Sequence, residues 1–347
     1  MAYPEHLRAF VQLGALFNEF CDSDTIEKNP WLQKLEAAVI QAEQENKWYT
    51  QENLRFAMQA WASLLKEDAL TSWLAPYSTQ AAKTPKRVAL VMAGNIPMVG
   101  FHDFLSVLLS GHIVVGKLSS NDKVLLPFIR EFLIDQAPEF EEKITFTEER
   151  LGDFEAAIAT GSTNTGRYFD YYFGKYPNII RKNRNSVAVL TGNETPAQLE
   201  ALGEDIFRYF GLGCRSVSKL FVPEGYNFDA FYQAQFHWKI VLEHHKYVNN
   251  YDYNKAVYLM SENAILDNGF LILKEDPQYA SPIATLFYEY YSSESDLKER
   301  LQQDAEAIQC VVADGFIENE IAFGETQSPS LTDYADGVNT LAFLAQL

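Results

Sequence analysis

Cys214 is the residue of this sequence that is best suited to covalent chemistry. It lies between Gly213 and Arg215 in the segment YFGLGCRSVSKLFVP, immediately ahead of a predicted strand. A cysteine in a glycine-flanked turn beside a cation can have a lowered pKa, and its thiolate is then a competent nucleophile. A lone cysteine is more often an inert core residue, so this segment by itself leaves both interpretations open.

The other two cysteines, Cys21 and Cys310, lie in apolar helical and strand-like segments, where buried and unreactive thiols are expected. Three cysteines that are far apart in the chain fit neither a disulfide framework nor a paired zinc site. His244 and His245 are adjacent and point to different faces of a regular element, so they are a poor metal pair. We expect no metal site; the two histidines remain candidates for a general acid or a phosphate ligand, with a structural role favoured.

Three further segments concentrate Gly, Asn, Ser and Thr where a predicted strand ends. They are VMAGNIPMVG, which contains Asn95; VVGKLSSND, which contains Lys117, Ser119 and Ser120; and AIATGSTNTGRYF, which contains Gly161, Ser162, Thr163 and Gly166. Ligands of α/β folds bind beyond the carboxyl ends of parallel strands. The backbone N–H groups of GSTNTG would cradle a pyrophosphate at the start of the following helix. The same composition also fits an ordinary helix cap.

The elements that carry these segments follow from the hydrophobic periodicity. Apolar residues recur at helical spacing from Pro4 to Pro76, which predicts a helical N-terminal region, and the polar stretch from Ser78 to Pro85 predicts a linker. Short β-branched runs then alternate with helical segments, which indicates βαβ units and a mostly parallel sheet. Strands are predicted at Val88–Met92, Ile113–Val115, Ala156–Ala159, Ser186–Leu190, Lys219–Val222, Ala256–Leu259 and Gln309–Val312.

Composition limits the possible partners. The chain of 347 residues has 47 acidic against 28 basic residues and a formal charge of −19, which argues against nucleic-acid binding. The basic run Arg181–Arg184 either meets a phosphorylated ligand or forms a solvated turn, which is the commoner case. No secretory signal and no apolar run of the roughly 18–20 residues that span a bilayer are visible. We therefore expect a soluble, cytoplasmic protein without a transmembrane segment.

In their order along the chain, the four segments resemble the aldehyde dehydrogenase superfamily. Asn95 in GNIP matches the asparagine of the family's WNFP turn, and Lys117 in GKLSS matches the lysine of its KPS turn. TGSTNTGR resembles the family's TGSTEVGR loop, and Cys214 in GLGC matches the cysteine of its GQxC segment. RKNRNSVAVLTGNE, GLGCRSVSKLFVP and QSPSLTDYADGV are more similar still to the LuxC-like acyl-CoA reductases. The resemblance covers most of the chain.

The resemblance implies an α/β, aldehyde-dehydrogenase-like fold, in which a Rossmann-type nucleotide-binding domain is joined to a second α/β catalytic domain. On this basis we expect four parts: a helical N-terminal region at 1–85, a nucleotide-binding domain at 86–185, a catalytic domain with the cysteine at 186–315, and a C-terminal return segment at 316–347. The chain is shorter than typical superfamily members. Homo-oligomers are the default by analogy with the family.

The resemblance also implies an activity. The Cys214 thiolate attacks an acyl-CoA thioester, the Asn95 amide and the Cys214 N–H hold the oxyanion, CoA leaves, and a nicotinamide hydride yields the aldehyde, the acyl group being expected to be fatty. Lys117, Ser119, Ser120 and the residues of the GSTNTG loop would bind the cofactor. Other activated acyl groups, such as an acyl phosphate or a semialdehyde, and a non-catalytic scaffold subunit remain alternatives.

Two departures from the family pattern refine these expectations. Aldehyde-oxidising members have a glutamate in ELGGK that activates water, and Leu190 stands at that position in VLTGNE. A leucine cannot activate water, as suits an enzyme that must not hydrolyse its acyl intermediate. Where NAD-preferring members have a glutamate, three residues after the matched lysine, this chain has Ser120, which predicts NADPH with NADH also possible. Asp122 opposes this prediction if its carboxylate turns towards the ribose.

Overall fold

The computed structural model describes residues 4–22, 29–80, 84–161 and 163–347, with the backbone alone for residues 78–80 and 163–167. The chain forms two compact units. The first unit contains the chain up to Lys182 together with the C-terminal residues Ser330–Leu347. The second unit is Asn183–Pro329. The four-part division expected from the sequence remains a prediction, and each unit is described by itself below.

The helical N-terminal region is confirmed, and it belongs to the first unit. Its helices are α1 at Pro4–Asp22, α2 at Pro30–Glu45, α3 at Gln51–Leu64 and α4 at Glu67–Leu74. Helix α2 starts where the Asn29 side chain accepts a hydrogen bond from the Trp31 N–H at 3.0 Å, with Pro30 at its first position. Residues 81–83 of the expected linker lie outside the described residues.

A five-stranded parallel sheet follows in the first unit, in the order β3-β2-β1-β4-β5. Its strands are β1 at Arg87–Val91, β2 at Ile113–Lys117, β3 at Ile144–Thr147, β4 at Ala156–Thr160 and β5 at Asn178–Arg181. Its helices are α5 at Phe101–Leu109, α6 at Leu125–Gln136, α7 at Phe140–Lys143 and α8 at Thr163–Phe173. The strand order reverses between β1 and β4, and in such sheets the crevice at this reversal is the ligand-binding position.

The sheet is buried between helices because its central strands are apolar on both faces. Val88, Ala89 and Leu90 of β1 are all buried, as expected for a parallel strand that is covered on both sides. Helix α1 covers part of one layer, since the Phe10 ring meets the rings of Phe101 and Phe104 at centroid distances of 6.2 and 6.4 Å. The N-terminal helices thus complete the core of the first unit.

Arg181, at the end of β5, anchors the C-terminal segment to the first unit. Its Nη2 atom lies 2.7 Å from Asp103 Oδ1 and 2.9 Å from Thr340 Oγ1, and its Nη1 donates to the Ala335 carbonyl. Thr340 begins α13 at Thr340–Leu344. The Arg181 side chain is only 4% exposed, so this residue of the basic run serves the fold and does not meet a phosphorylated ligand.

The second unit contains a six-stranded sheet in the order β11-β6-β7-β10-β9-β8. Its strands are β6 at Asn185–Val189, β7 at Val217–Pro223, β8 at Ile265–Asp267, β9 at Ile272–Glu275, β10 at Thr285–Tyr291 and β11 at Ile308–Val312. Its α-helices are α9 at Pro196–Phe207, α10 at Asp229–Ala234, α11 at His245–Met260 and α12 at Glu294–Gln303. The pairing is parallel except between β8 and β9. Within the described ranges, no helix is long and apolar enough to cross a bilayer.

One strand prediction in this unit is wrong. Ala256–Leu259 lies in α11, because the helix that starts at His245 continues through it to Met260. Tyr247, Tyr251 and Asn254 are buried at helical spacing on the same helix, so its packing overrides the short apolar run. The other six predicted strands are confirmed as β1, β2, β4, β6, β7 and β11, whereas β3, β5, β8, β9 and β10 were not predicted.

The anchor at Arg181 generates a stability prediction. Asp103→Ala leaves the Arg181 guanidinium buried without its carboxylate, and loss of one partner of a buried ion pair costs about 3–5 kcal/mol. We expect urea denaturation to show a loss of this size in the free energy of unfolding. The control is Glu131→Ala, which removes a pair with Lys34 whose side chains are 59% and 50% exposed; it should cost less than about 1 kcal/mol. Equal losses for both variants would contradict the anchor.

Candidate functional site

The carboxyl edge of the first sheet collects three of the four segments singled out in the sequence. Strands β2, β1 and β4 are neighbours and parallel, so the turns that follow them open at the same edge. These turns carry Asn95 after β1, Lys117 to Ser120 at the end of β2, and Gly161 after β4. Ser162 lies outside the described residues, and Thr163 and Gly166 belong to the first turns of α8, described there by backbone alone.

The turns after β1 and β2 are in direct contact, and Gly94 makes the contact possible. A Cβ atom at Gly94 would lie 2.6 Å from Ser119 Oγ and 3.0 Å from the Asp122 nitrogen. The second turn is itself closed by hydrogen bonds, since Asp122 N–H donates to the Ser119 carbonyl at 3.1 Å and Asn121 N–H donates to Ser119 Oγ at 3.2 Å. The two turns therefore behave as one packed unit, with Asn95 half-buried on the first of them.

Asp122 faces the interior of this pair of turns. Its side chain is buried, the residue being 6% exposed, and its Oδ2 atom accepts a hydrogen bond from the Met98 N–H at 3.3 Å. Burial raises the pKa of Asp122 to about 6, and hydrogen bonds from the Met98 N–H and Tyr49 offset part of that rise. The carboxylate is thus engaged with the turn after β1, which weakens the objection that it would repel a ribose phosphate.

The outer end of β2 has the charge that a phosphorylated ligand needs. Lys117 is half-buried, and among the residues that the structure describes its ammonium group has no carboxylate partner in a salt bridge. Ser120 is exposed. The nearby Lys123 pairs with Glu148 at 3.7 Å. A half-buried cation, followed three residues later by an exposed hydroxyl, suits an anionic group, to which each could donate a charge-assisted hydrogen bond.

In the second unit, Cys214 is exposed on the turn that leads into β7. Its carbonyl accepts a hydrogen bond at 2.9 Å from the hydroxyl of Ser186, a buried residue on β6. The ladder between β6 and β7 shifts register between Ser186 and Val187. Such irregularities re-aim side chains and occur preferentially beside active sites. The backbone of Cys214 is therefore fixed by the sheet while its thiol remains accessible.

The residues immediately before this turn hold an unusual backbone. Tyr209, Phe210 and Gly211 are consecutive residues with positive φ, at 54°, 58° and 74°. For non-glycine residues this conformation costs on the order of 1–3 kcal/mol each, and it persists only where the surroundings enforce it. Here the Phe210 ring packs against the His244 ring at a centroid distance of 4.1 Å. Burial of these rings offsets the strain.

His244 has a structural role in this arrangement, as the sequence favoured. It is the N-cap of α11, where its Nδ1 atom accepts a hydrogen bond from the Tyr247 N–H at 3.4 Å. His245 begins the helix and is exposed. Within the described ranges, no group of three or more His, Cys, Asp or Glu residues is placed to hold a metal ion.

Sequence reasoning missed a buried carboxylate that supports the Cys214 turn. Asp205, on α9, accepts hydrogen bonds from the Gly324 N–H at 2.7 Å and the Thr326 N–H at 2.9 Å. The Thr326 carbonyl in turn accepts from Arg215 Nε. Burial raises the pKa of Asp205. No sequence signal could have found this link, because Asp205 and Thr326 are 121 residues apart.

The position that the family resemblance gives to a water-activating glutamate holds no polar group. Leu190 follows β6 and its side chain is fully buried. The nearest carboxylate along the chain, Glu194, is occupied within its own loop, where it accepts from the Thr191 N–H at 2.5 Å and the Gly192 N–H at 3.1 Å. Neither residue is arranged to activate water.

The comparisons with known proteins concern the fold. No family model and no curated protein matches the sequence. Among solved structures, aldehyde dehydrogenase 21 of Physcomitrella patens, in complex with the reaction product succinate, has a TM-score of 0.67 at 10% identity, over 97% of this chain and 84% of that chain. The NAD-dependent aldehyde dehydrogenase of Burkholderia multivorans gives 0.60 at 12% identity, over 98% and 82%.

A third solved structure is the Delta-pyrroline-5-carboxylate dehydrogenase of Mycobacterium tuberculosis bound with NAD, with a TM-score of 0.55 at 15% identity, over 92% of this chain and 69% of that chain. The chain thus has the aldehyde dehydrogenase-like fold, and the predicted fold class is confirmed. At these identities the likeness is one of fold.

The environments of the three cysteines predict their relative reactivity. Cys214 is exposed and Cys310 is buried, and burial raises the pKa of the half-buried Cys21 thiol. Brief treatment of the native protein with iodoacetamide, followed by peptide mass spectrometry, should therefore label Cys214 at least about tenfold faster than either other cysteine. Denatured protein is the control, in which all three should react alike. Preferential labelling of Cys21 or Cys310 in the native protein would contradict the structure.

Proposed function

We propose that this protein is an acyl-CoA reductase. In this proposal it converts an acyl-CoA thioester, with a fatty acyl group, into the aldehyde through an acyl-enzyme intermediate on Cys214, and it uses NADPH or NADH as the hydride donor. The reaction is placed in the cytoplasm, and the chain acts alone or as a homo-oligomer. The aldehyde dehydrogenase-like fold supports the general reaction class.

The observation that carries the proposal is the contrast between Cys214 and Leu190 in the second unit. Cys214 presents a thiol at the surface of a hydrogen-bonded turn, as a nucleophile requires. On the sequence resemblance alone, Leu190 stands at the position of the base in aldehyde-oxidising members, and its side chain is buried. An enzyme with the nucleophile and without the base forms the acyl-enzyme but hydrolyses it poorly, which favours transfer of a hydride to the acyl carbon.

The proposed reaction begins at Cys214. The Cys214 thiolate adds to the thioester carbonyl, and collapse of the tetrahedral adduct expels CoA as its thiolate. A bound nicotinamide would supply the hydride that reduces the acyl carbon. The thiohemiacetal anion thus formed on Cys214 collapses to the aldehyde and regenerates the thiolate, and the expelled CoA thiolate takes a proton from water. On the resemblance alone, we assign stabilisation of the oxyanion to the Asn95 amide and the Cys214 N–H, since preorganised donors of this kind contribute about 2.7–4 kcal/mol each.

The residues at the carboxyl edge of the first sheet fit a nicotinamide dinucleotide. Lys117 and Ser120 offer a cation and a hydroxyl at the end of β2, where an adenine ribose and a 2′-phosphate would bind. Gly161 follows β4, the strand that precedes α8, and the pyrophosphate is assigned to the start of that helix. Because the Asp122 carboxylate is engaged with Met98, no carboxylate from this turn opposes the 2′-phosphate, which favours NADPH.

The proposal predicts the behaviour of a Cys214→Ala variant. Incubation of wild type with radiolabelled fatty acyl-CoA in the absence of cofactor should leave label on the protein, and the variant should acquire none, because the bond forms at Cys214. Reduction should fall by at least about 10⁴-fold. Cys21→Ser, at a cysteine with no assigned role, is the matched control and should keep both properties. A labelled Cys214→Ala protein, or wild type that is labelled only by an acyl phosphate, would contradict the proposal.

A second prediction concerns cofactor choice. Ser120→Glu introduces a carboxylate where the 2′-phosphate is proposed to bind, so the ratio of kcat/KM for NADPH over NADH should fall about tenfold, or ~1.4 kcal/mol. Ser120→Gln adds a side chain of the same size without the charge and should change this ratio much less. If wild type prefers NADH, or if the two variants behave alike, then Ser120 is not at the ribose phosphate.

A further inference from the structure

The end of α2 reaches into the pair of turns that follow β1 and β2. Asn46, the C-cap residue of that helix, is buried, and its side-chain amide donates to the Gly94 carbonyl at 3.2 Å and to the Asn121 carbonyl at 3.0 Å. One carbonyl belongs to the turn that carries Asn95, and the other belongs to the turn that carries Ser120. A single amide group therefore spans both turns.

Asn46 is itself held in place, so it supports the turns rigidly. Its Oδ1 atom accepts from the Trp48 N–H at 2.9 Å, and its own N–H donates to the Ala42 carbonyl at 2.9 Å. Helix α2 is fixed in turn on the first unit, because the Trp31 ring meets the rings of Phe128 and Phe132 on α6 at 6.0 and 5.1 Å. The support thus extends from the core to the turns.

Asp122 makes a second link between the same two turns. Its carboxylate crosses from the turn after β2 to the Met98 N–H on the turn after β1. Met98 has a φ of 55°, a conformation that a non-glycine residue keeps only where its surroundings enforce it. An acceptor at the Met98 N–H supplies part of that enforcement. The desolvated carboxylate is costly to bury, whereas an asparagine would keep an acceptor without the charge.

We propose that Asn46 and Asp122 are positioning residues of the nucleotide site, which hold the turns carrying Asn95 and Ser120 in one geometry. This inference rests on the proposed function for the identity of the ligand, a nicotinamide dinucleotide. It assigns a working role to the N-terminal helical region: α2 orients the cofactor-binding turns through one buried amide. Neither residue touches a reacting atom, so each acts through the turns that it holds.

The test compares cofactor binding and local mobility in matched variants of the full chain. Asn46→Ala should raise the dissociation constant for NADPH, measured by nicotinamide fluorescence, by about tenfold or more. Asn29→Ala removes the N-cap hydrogen bond at the other end of the same helix. It should lower the melting temperature about as much as Asn46→Ala does, but leave the dissociation constant for NADPH unchanged. Asp122→Ala should act like Asn46→Ala, and Asp122→Asn, which keeps an acceptor for Met98, should restore most of the affinity.

Hydrogen exchange separates failure of this inference from failure of the proposed function. Asn46→Ala and Asp122→Ala should accelerate amide exchange in residues 92–100 and 118–123, and Asn29→Ala should not, whether or not the protein binds a nucleotide. If wild type binds neither NADPH nor NADH, the proposed function fails, and the exchange pattern alone decides on the two positioning residues. Equal effects of Asn46→Ala and Asn29→Ala on both affinity and exchange, or no rescue by Asp122→Asn, would overturn the inference.

Discussion

The parallel arrangement of β2, β1 and β4 is the constraint on which the proposed nucleotide site of this protein depends. Parallel strands have their carboxyl ends at one edge of the sheet, so turns that are far apart in the chain, such as those at Asn95, Ser120 and Gly161, lie at the same edge. The turns after β1 and β2 approach so closely that the position at Gly94 has no room for a Cβ atom. Asn46 and Asp122 then fix what the sheet has brought together. The sheet topology thus brings the two turns together, and the buried contacts of Asn46 and Asp122 hold them in one conformation.

The second unit uses a different physical arrangement to present Cys214. Three consecutive residues ahead of the cysteine adopt the left-handed backbone conformation, and packing of the buried Phe210 ring against His244 offsets their strain. Ser186 holds the Cys214 carbonyl, and Asp205 holds the turn at Thr326 that accepts from Arg215. Strain that is offset by packing is common at functional turns. Leu190 follows the other end of β6, where its N–H donates to the Phe221 carbonyl at 2.8 Å and its side chain is fully buried.

The sequence predicted what depends on local pattern and missed what depends on distant contacts. Helical periodicity identified the N-terminal helices, and β-branched runs identified six of the strands, because both signals lie within a few residues. The run at Ala256–Leu259 failed as a strand because its partners in α11 decided the conformation. Asn95, Lys117 and Cys214 were singled out because they stand in short motifs, and their roles stay predictions. Asn46 and Asp205 were not, since each acts on residues 48 to 121 positions away and nothing local marks them.

The fate of the acyl group tests the central claim most directly. Purified wild type should be given a fatty acyl-CoA and NADPH, and the aldehyde, free CoA, free fatty acid and oxidised cofactor should be quantified over the same time course. If Cys214 captures the acyl group and no residue activates water, one aldehyde and one free CoA will appear for each cofactor oxidised, with free acid a minor product. Release of CoA with free acid as the main product, or cofactor oxidation without aldehyde, would contradict the account.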